Sequence, residues 1–221
     1  MFSLDVSSRI AQSQGRFGMR LKLIPVMLAG CCLPTSLLAS PPEANAPFSV
    51  VPILMAKPQS LVNLGNTEWA RTAKRYRLDP YILYAIALVE SARIRDDLAH
   101  PWFWALNRNG KSVYPHSATE ALQQIRQHLV TGQRNIDVGL MQVNLRWHRQ
   151  RVSRLEDLLD PVINLDVGAR ILAEAIATAP NDLALGVGRY HAWSNPVEAY
   201  HYGRRVLRLA QRLRSGIRTR G

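Results

Sequence analysis

One glutamate occupies a position where a carboxyl group can be kept away from water. Glu90 ends an apolar run that starts at Tyr81, and Ser91 follows it directly. A buried carboxylate is costly unless it is neutral or paired. A carboxyl group that stays neutral near pH 7 is what general acid catalysis requires. We therefore predict Glu90 as a catalytic residue, and the alternative is a glutamate at a helix end that emerges into solvent.

A second segment, residues 137–144, combines a flexible backbone position with apolar and amide side chains. Its candidate binding residues are Gly139, Leu140, Met141, Gln142 and Asn144. The glycine permits a tight turn, and the two amides can donate to and accept from sugar hydroxyl and acetamido groups. The alternative is an ordinary helix start capped by Asp137.

Two later segments place aromatic rings beside polar groups. Residues 188–193 contain Tyr190 and His191, and residues 199–204 contain Tyr202. Sugar rings stack on aromatic surfaces of this kind. For each segment alone, the alternative is burial of the rings in a helical core.

Helical signals dominate the chain from residue 67 onward. Five helix starts are marked by a capping side chain: Thr67, Asp79, Ser117, Asp160 and Asn195. The helix after Asp79 is apolar on every side, which predicts a central position. Residues 97–114 and 132–139 are predicted as loops, or at most a short hairpin. The pattern predicts a compact all-α domain whose long loops line a groove.

The N-terminal residues have the order of a secretory leader. A basic start at residues 19–22 precedes an apolar stretch over 23–39 and a small, proline-rich region. We predict a signal peptide or leader over 1–46, beginning at Met1 or Met19, and export to the periplasm or cell envelope. Residues 28–31 also match a lipobox, so membrane association through a lipidated Cys31 is the alternative to simple secretion.

Charge and cysteine content narrow the possible partners. The net charge is +12, and seven arginines follow Glu198 without any acid. This pattern fits nucleic-acid binding, attraction to anionic envelope surfaces, or a solvated helix end. An exported chain is not expected to bind nucleic acid. Both cysteines, Cys31 and Cys32, lie in the predicted leader, so the mature domain has no disulfide and no thiolate-bound metal.

Taken together and in this order, the four segments resemble the lytic transglycosylases of the soluble-enzyme (SLT) type. The resemblance covers roughly residues 67–210, after a linker over 47–66 and before a basic tail over 211–221. Glu90-Ser91 and the Gly-Leu-Met-Gln run that starts at Gly139 are its most specific parts.

The later motifs match this family less closely. Tyr190 fits the family's Ala-Tyr-Asn-x-Gly motif, but Arg189, His191 and Trp193 replace its Ala, Asn and Gly. Tyr202 matches the tyrosine of a final Tyr-x-x-x-Val motif. Residues 101–107 are similar to the versions found with type IV secretion and conjugative-transfer systems.

The resemblance implies a lysozyme-like (goose-type/SLT) helical fold with a substrate groove, and cleavage of peptidoglycan without a metal or organic cofactor. Glu90 would protonate the β-1,4 glycosidic oxygen between N-acetylmuramic acid and N-acetylglucosamine. As a carboxylate it would then accept the proton of the sugar's 6-hydroxyl, which closes a 1,6-anhydro ring. The substrate-binding residues implied are Ser91, Gly139, Leu140, Met141, Gln142, Asn144, Tyr190, His191 and Tyr202. Partners would be glycan strands and components of a secretion or conjugation apparatus.

Three alternatives stay open from the sequence. The first is a lysozyme-like hydrolase in which Asp137 is a second carboxylate that acts on water. The second is a wall-binding module of a secretion system that keeps the groove without activity. The third is a basic nucleic-acid-binding protein, which only the arginine-rich tail favours.

Overall fold

The computed structural model describes residues 53–54, 62–95 and 98–215. The predicted leader with its lipobox cysteine, most of the predicted linker and the last six residues lie outside the described residues. The predicted domain boundaries at residues 46, 66 and 210 stay predictions.

Helices dominate the described residues, as the sequence predicts. They are α1 (Glu68–Tyr76), α2 (Pro80–Ser91), α3 (Ala118–Val130), α4 (Leu145–His148), α5 (Pro161–Ala177), α6 (Leu183–Gly188) and α7 (Pro196–Ser215). Two short 3₁₀ turns, Arg149–Arg151 and Leu155–Leu159, connect α4 to α5. Among the described residues, no helix is both long and apolar enough to cross a lipid bilayer.

All five predicted helix starts are confirmed by their capping hydrogen bonds. In α1 and α3, the hydroxyls of Thr67 and Ser117 accept from backbone N–H groups three residues ahead. In α2 and α5, the carboxylates of Asp79 and Asp160, each of which precedes a proline, accept from backbone N–H groups two residues ahead. Asn195 caps α7 by accepting from a backbone N–H at 3.2 Å. Each bond satisfies a donor that the helix itself leaves unpaired.

The central position predicted for α2 is confirmed. The side chains from Leu83 to Ala87 are completely buried, and α2 packs against α1 and α7. A helix that is apolar all round is stable only when neighbours cover every side, which α1, α7 and the nearby loops do here.

Four strands lie in the segments predicted as loops, or at most a hairpin, and they belong to two small antiparallel sheets. One has the order β1 (Ile53–Leu54), β3 (Leu98–Pro101), β2 (Ala92–Arg95); the other has the order β5 (Lys111–Val113), β4 (Leu106–Arg108), β6 (Ile136–Val138), β7 (Val143–Asn144). Strands of two to four residues are too short to show a readable alternation. The Asn109-Gly110 turn between β4 and β5 has φ values of 52° and 82°, which is the usual signal for a tight hairpin.

Two glycines allow helices α6 and α7 to pack closely against each other. A Cβ at Gly188 would lie 1.7 Å from the carbonyl oxygen of Ala199, and one at Gly203 would lie 1.8 Å from that of Ala184. The two backbones therefore touch directly, and no larger residue fits at either glycine.

Candidate active site

A cleft of about 910 Å³ opens beside the C-terminal end of α2. Its walls come from α2, the second sheet, α4, α5, the turn after α6 and the start of α7. Five predicted site residues line it: Glu90, Gln142, Asn144, Tyr190 and His191. Five others are buried and do not line it: Ser91, Gly139, Leu140, Met141 and Tyr202. The fold thus brings all ten residues to one region, in two layers.

Glu90 is mostly shielded from solvent and is held by a tyrosine. Its side chain is 15% exposed, and Tyr202 on α7 donates a hydrogen bond from its hydroxyl to Glu90 Oε1 at 2.5 Å. Burial, together with the nearby Glu90 carboxyl, raises the pKa of Tyr202 well above its ordinary value. The phenol therefore keeps its proton at neutral pH and remains a donor to Glu90.

His191 completes a row of polar groups around this carboxyl. Its ring lies parallel to that of Tyr202, with 4.6 Å between the ring centres. Its Nδ1 lies 3.6 Å from Glu90 Oε1 and its Nε2 lies 3.8 Å from Glu198 Oε1. These separations are ion-pair contacts rather than hydrogen bonds. The interaction with the Glu90 side chain raises the pKa of His191 above its ordinary value, against the opposing effect of burial.

The turn at residues 139–142 is held by a buried asparagine that the sequence analysis missed. Asn164 on α5 donates to the carbonyls of Val138 and Leu158 at 2.9 and 2.8 Å, and it accepts from the N–H of Met141 at 2.9 Å. Gly139 has a φ of 79°, and a Cβ there would lie 2.2 Å from the Asn164 side chain. A polar residue within the otherwise apolar face of α5 is the signal that could have identified it.

Three of the predicted site residues hold this turn in place through hydrogen bonds. The Ser91 hydroxyl lies 2.8 Å from the carbonyl oxygen of Leu140, and the Tyr190 hydroxyl donates to that of Met141 at 2.6 Å. The Gln142 amide donates to the carbonyl of Gly139 at 2.8 Å. These hydrogen bonds fix the wall of the cleft next to Glu90.

The structure corrects the interpretation of Asp137 as a helix cap. Asp137 lies in β6, opposite Asn144 of β7, and its Oδ1 accepts from the Asn144 amide at 2.6 Å. Burial raises the pKa of Asp137 from 3.8 to about 6, the hydrogen bond from Asn144 opposes this, and the charge of Glu90 adds to it. Asp137 therefore lines the same cleft as Glu90 and is close enough to sense its charge.

The family model for the transglycosylase SLT domain matches residues 67–217. The chain belongs to the transglycosylase SLT family. Members of this family are lytic transglycosylases with a lysozyme-like domain, and they act on peptidoglycan, generally in the periplasm or cell envelope. The resemblance to lytic transglycosylases of the SLT type and the lysozyme-like, mostly helical fold inferred from the sequence are thereby confirmed. Searches of curated proteins and of solved structures gave no significant match.

Two exposed tryptophans contribute to the walls of the SLT cleft. Trp147 of α4 is 63% exposed and Trp193 is 61% exposed, and both line the cleft. An indole that faces solvent in a groove can stack on a sugar ring. Trp147 was missed because nothing in its local sequence distinguishes it from a core aromatic residue.

Proposed function

We propose that this chain is a peptidoglycan lytic transglycosylase that cleaves the β-1,4 bond between N-acetylmuramic acid and N-acetylglucosamine and leaves a 1,6-anhydro ring. The observation that carries the proposal is the placement of Glu90. It is a largely shielded carboxyl at the wall of the cleft, and Tyr202 donates to one of its oxygens. Membership of the SLT family supports the choice of substrate and reaction.

In the proposed mechanism, one carboxyl group serves first as acid and then as base. Glu90 gives its proton to the glycosidic oxygen as the bond from that oxygen to the sugar carbon breaks. The substrate's own acetamido group stabilises the positive charge at that carbon. The Glu90 carboxylate then takes the proton of the sugar's 6-hydroxyl group. At the same time the oxygen of that hydroxyl group forms a bond to the positively charged sugar carbon, so Glu90 ends protonated. No second carboxylate is required.

The role we propose for Tyr202 follows from its geometry. A hydrogen bond to a carboxyl oxygen becomes stronger as that group acquires negative charge. Tyr202 therefore stabilises Glu90 more after proton donation than before it, which lowers the barrier to bond cleavage. Because both Tyr202 and His191 approach Oε1, we propose that the other oxygen, Oε2, faces the substrate.

The other predicted residues divide into two proposed roles. Gln142, Asn144, Tyr190 and His191 line the cleft and would contact the glycan or orient Glu90. Ser91, Gly139, Leu140 and Met141 would shape the wall on which the sugar rests. The exposed indole of Trp193 would add a stacking surface.

The cellular role we propose is local opening of the cell wall for a secretion or conjugation apparatus. Support for export comes from the order of basic, apolar and small residues over 1–46. Support for the apparatus comes from residues 101–107, which are similar to the versions found with such systems.

The position of Asp137 favours a second candidate function, hydrolysis on the same fold. Its carboxylate shares the cleft with Glu90, and its pKa of about 6 would let it act as a base on water near neutral pH. The chemistry of the new chain ends separates the two reactions, because transglycosylation leaves 1,6-anhydro ends and hydrolysis leaves reducing ends.

Mass spectrometry of the products from purified peptidoglycan tests the proposal. We expect 1,6-anhydro ends with the unmodified chain and none with Glu90→Gln, which keeps the side-chain shape but carries no acidic proton. Circular dichroism of the variant controls for folding. Reducing ends would support the hydrolase, no products would support a wall-binding module, and undiminished turnover in Glu90→Gln would exclude Glu90 as the acid.

A further inference from the structure

The outer face of α7 carries a group of exposed arginines that we call the basic face. Its members are Arg204, Arg205, Arg208 and Arg212. Residues three, four and seven positions apart lie on the same side of an α-helix, and these four span about 12 Å of its axis. The buried side chains of the same helix, such as Val206 and Ala210, fall on the opposite side. The four cations therefore face away from the core, in nearly one direction.

No acid within the described part of the chain forms an ion pair with these four arginines. On other helices exposed arginines do have such partners. Arg71 on α1 pairs with Glu68 at 2.9 Å, and Arg126 on α3 pairs with an acid at 2.6 Å. The last acid of the chain, Glu198, lies in the first turn of α7, and the adjacent helix α6 has none. Like charges four residues apart repel each other, so an anion that binds the basic face relieves this repulsion.

Apolar groups continue the basic face toward the start of α7. Val197 and Tyr200 precede Arg204 by seven and four residues, which places them on the same side of the helix. Val197 is 68% exposed and Tyr200 is 40% exposed, and the guanidinium of Arg204 lies 5.7 Å from the centre of the Tyr200 ring. Cations beside an exposed aromatic and an exposed aliphatic side chain are typical of helices that lie on a lipid surface. A nucleic-acid phosphate backbone would neutralise the arginines but would leave the valine in water.

We propose that the basic face of α7 docks the domain on a surface of anionic phospholipids, with the arginines against the headgroup phosphates. None of the four arginines lines the cleft, which α7 borders through Glu198 in its first turn. Docking therefore uses none of the groups that surround Glu90, and the inference goes beyond the function proposed above. Each arginine near an anionic membrane strengthens binding about fivefold, and salt weakens this contribution.

Binding of the full chain to lipid vesicles tests the docking. Vesicles that contain phosphatidylglycerol and phosphatidylcholine are compared with vesicles of phosphatidylcholine alone by co-sedimentation. The neutral vesicles measure the binding that apolar segments such as residues 23–39 contribute by themselves. We expect tighter binding to the anionic vesicles, and we expect the difference to shrink as the salt concentration rises. Equal affinity for the two kinds of vesicle would overturn the proposal.

A pair of double variants tests whether the basic face is responsible. Arg208→Gln combined with Arg212→Gln should weaken binding to the anionic vesicles roughly 25-fold, because two of the four cations are lost. Glutamine is nearly as good a helix former as arginine, and circular dichroism controls for folding. Arg71→Gln combined with Arg126→Gln removes the same number of charges from α1 and α3 and should have a much smaller effect. Equal losses in the two double variants would show that only net charge matters and would overturn the proposal.

Two further measurements separate this inference from its alternatives. Tighter binding to a DNA duplex than to the anionic vesicles, abolished in the Arg208→Gln and Arg212→Gln double variant, would overturn the choice of lipid in favour of nucleic acid. Turnover of soluble glycan fragments should be unchanged in that variant, and a reduced turnover would contradict a docking surface that is separate from the cleft. If the unmodified chain releases no products, the proposed function fails, while the vesicle measurements still decide the docking.

Discussion

Tyr202 on α7 donates a hydrogen bond to Glu90 at the end of α2, although the two residues are 112 positions apart in the chain. The contact joins the most buried helix of the domain to the helix that closes one side of the cleft. It also gives the acid a fixed orientation. Two local motifs that lie in different parts of the sequence thus form one site only after the chain has folded.

We expect Tyr202→Phe to lower kcat while KM changes little, because the lost hydrogen bond is strongest when Glu90 is charged. A hydrogen bond to a charged group contributes about 1.5–3 kcal/mol, which corresponds to roughly a tenfold to hundredfold loss. Steady-state kinetics on soluble glycan fragments measures the change. Tyr200→Phe removes an exposed hydroxyl from the same helix and is the matched control. An unchanged kcat in Tyr202→Phe would show that the contact has no part in the reaction.

Asp137→Asn separates the two candidate reactions. For the transglycosylase we expect 1,6-anhydro products to persist, with kcat reduced by less than about tenfold, because the amide can still accept from Asn144. A hydrolase that depends on this carboxylate should lose roughly 10²–10⁴-fold. Product analysis by mass spectrometry measures both. Loss of all products together with retained folding would contradict the single-acid mechanism.

Asp137 also makes stability depend on pH. Its pKa is raised from 3.8 to about 6 in the folded chain, so the folded state binds the proton more tightly than the unfolded state does. The contribution of Asp137 to the free energy of unfolding is therefore lost as the pH rises from about 4 to about 6, by about 2–3 kcal/mol. Urea unfolding of the unmodified chain and of Asp137→Asn, at about pH 4 and about pH 7, measures the difference. We expect the free energy of unfolding of Asp137→Asn, relative to that of the unmodified chain, to be higher at about pH 7 than at about pH 4. The same difference between the two chains at both pH values would contradict the raised pKa of Asp137.

Gly139→Ala should destabilise the domain by more than the usual cost of placing alanine at a positive φ. The added methyl group would strike the Asn164 side chain and break the hydrogen bonds that hold the turn. Gly132→Ala is a matched control, because Gly132 has nearly the same φ, 78°, but has no atom within 4 Å of an added Cβ. We expect about 1 kcal/mol for the control and at least about 3 kcal/mol for Gly139→Ala, as measured by urea unfolding. Similar losses in both variants would show that the fit against Asn164 contributes little.

Features that depend on a few neighbouring residues could be predicted from the sequence. The caps at Thr67 and Asp79 were correct because a capping bond involves residues only two or three positions apart. The burial of α2 was correct because its composition leaves no polar side. The small sheets were missed because their pairing depends on partners far away in the chain, as in Ile53 opposite Ala99 and Leu106 opposite Val138.

The site was predictable only in part, for a related reason. An aspartate before an apolar run is compatible with a helix cap and with a strand, so Asp137 was interpreted wrongly until its partner Asn144 was visible. Asn164 was missed because its partners are backbone groups of two separate segments. The association of Glu90 with Tyr202 came from the family resemblance, since nothing in either segment alone indicates the other.

The glycine contacts between α6 and α7 restrict the movement of one wall of the cleft. Backbones that touch without intervening side chains leave no space for one helix to tilt further into the other. The turn that carries His191 follows α6, and Tyr202 lies on α7, so these two residues form one rigid wall. A change in the width of the cleft would therefore leave the positions of His191 and Tyr202 relative to each other unchanged.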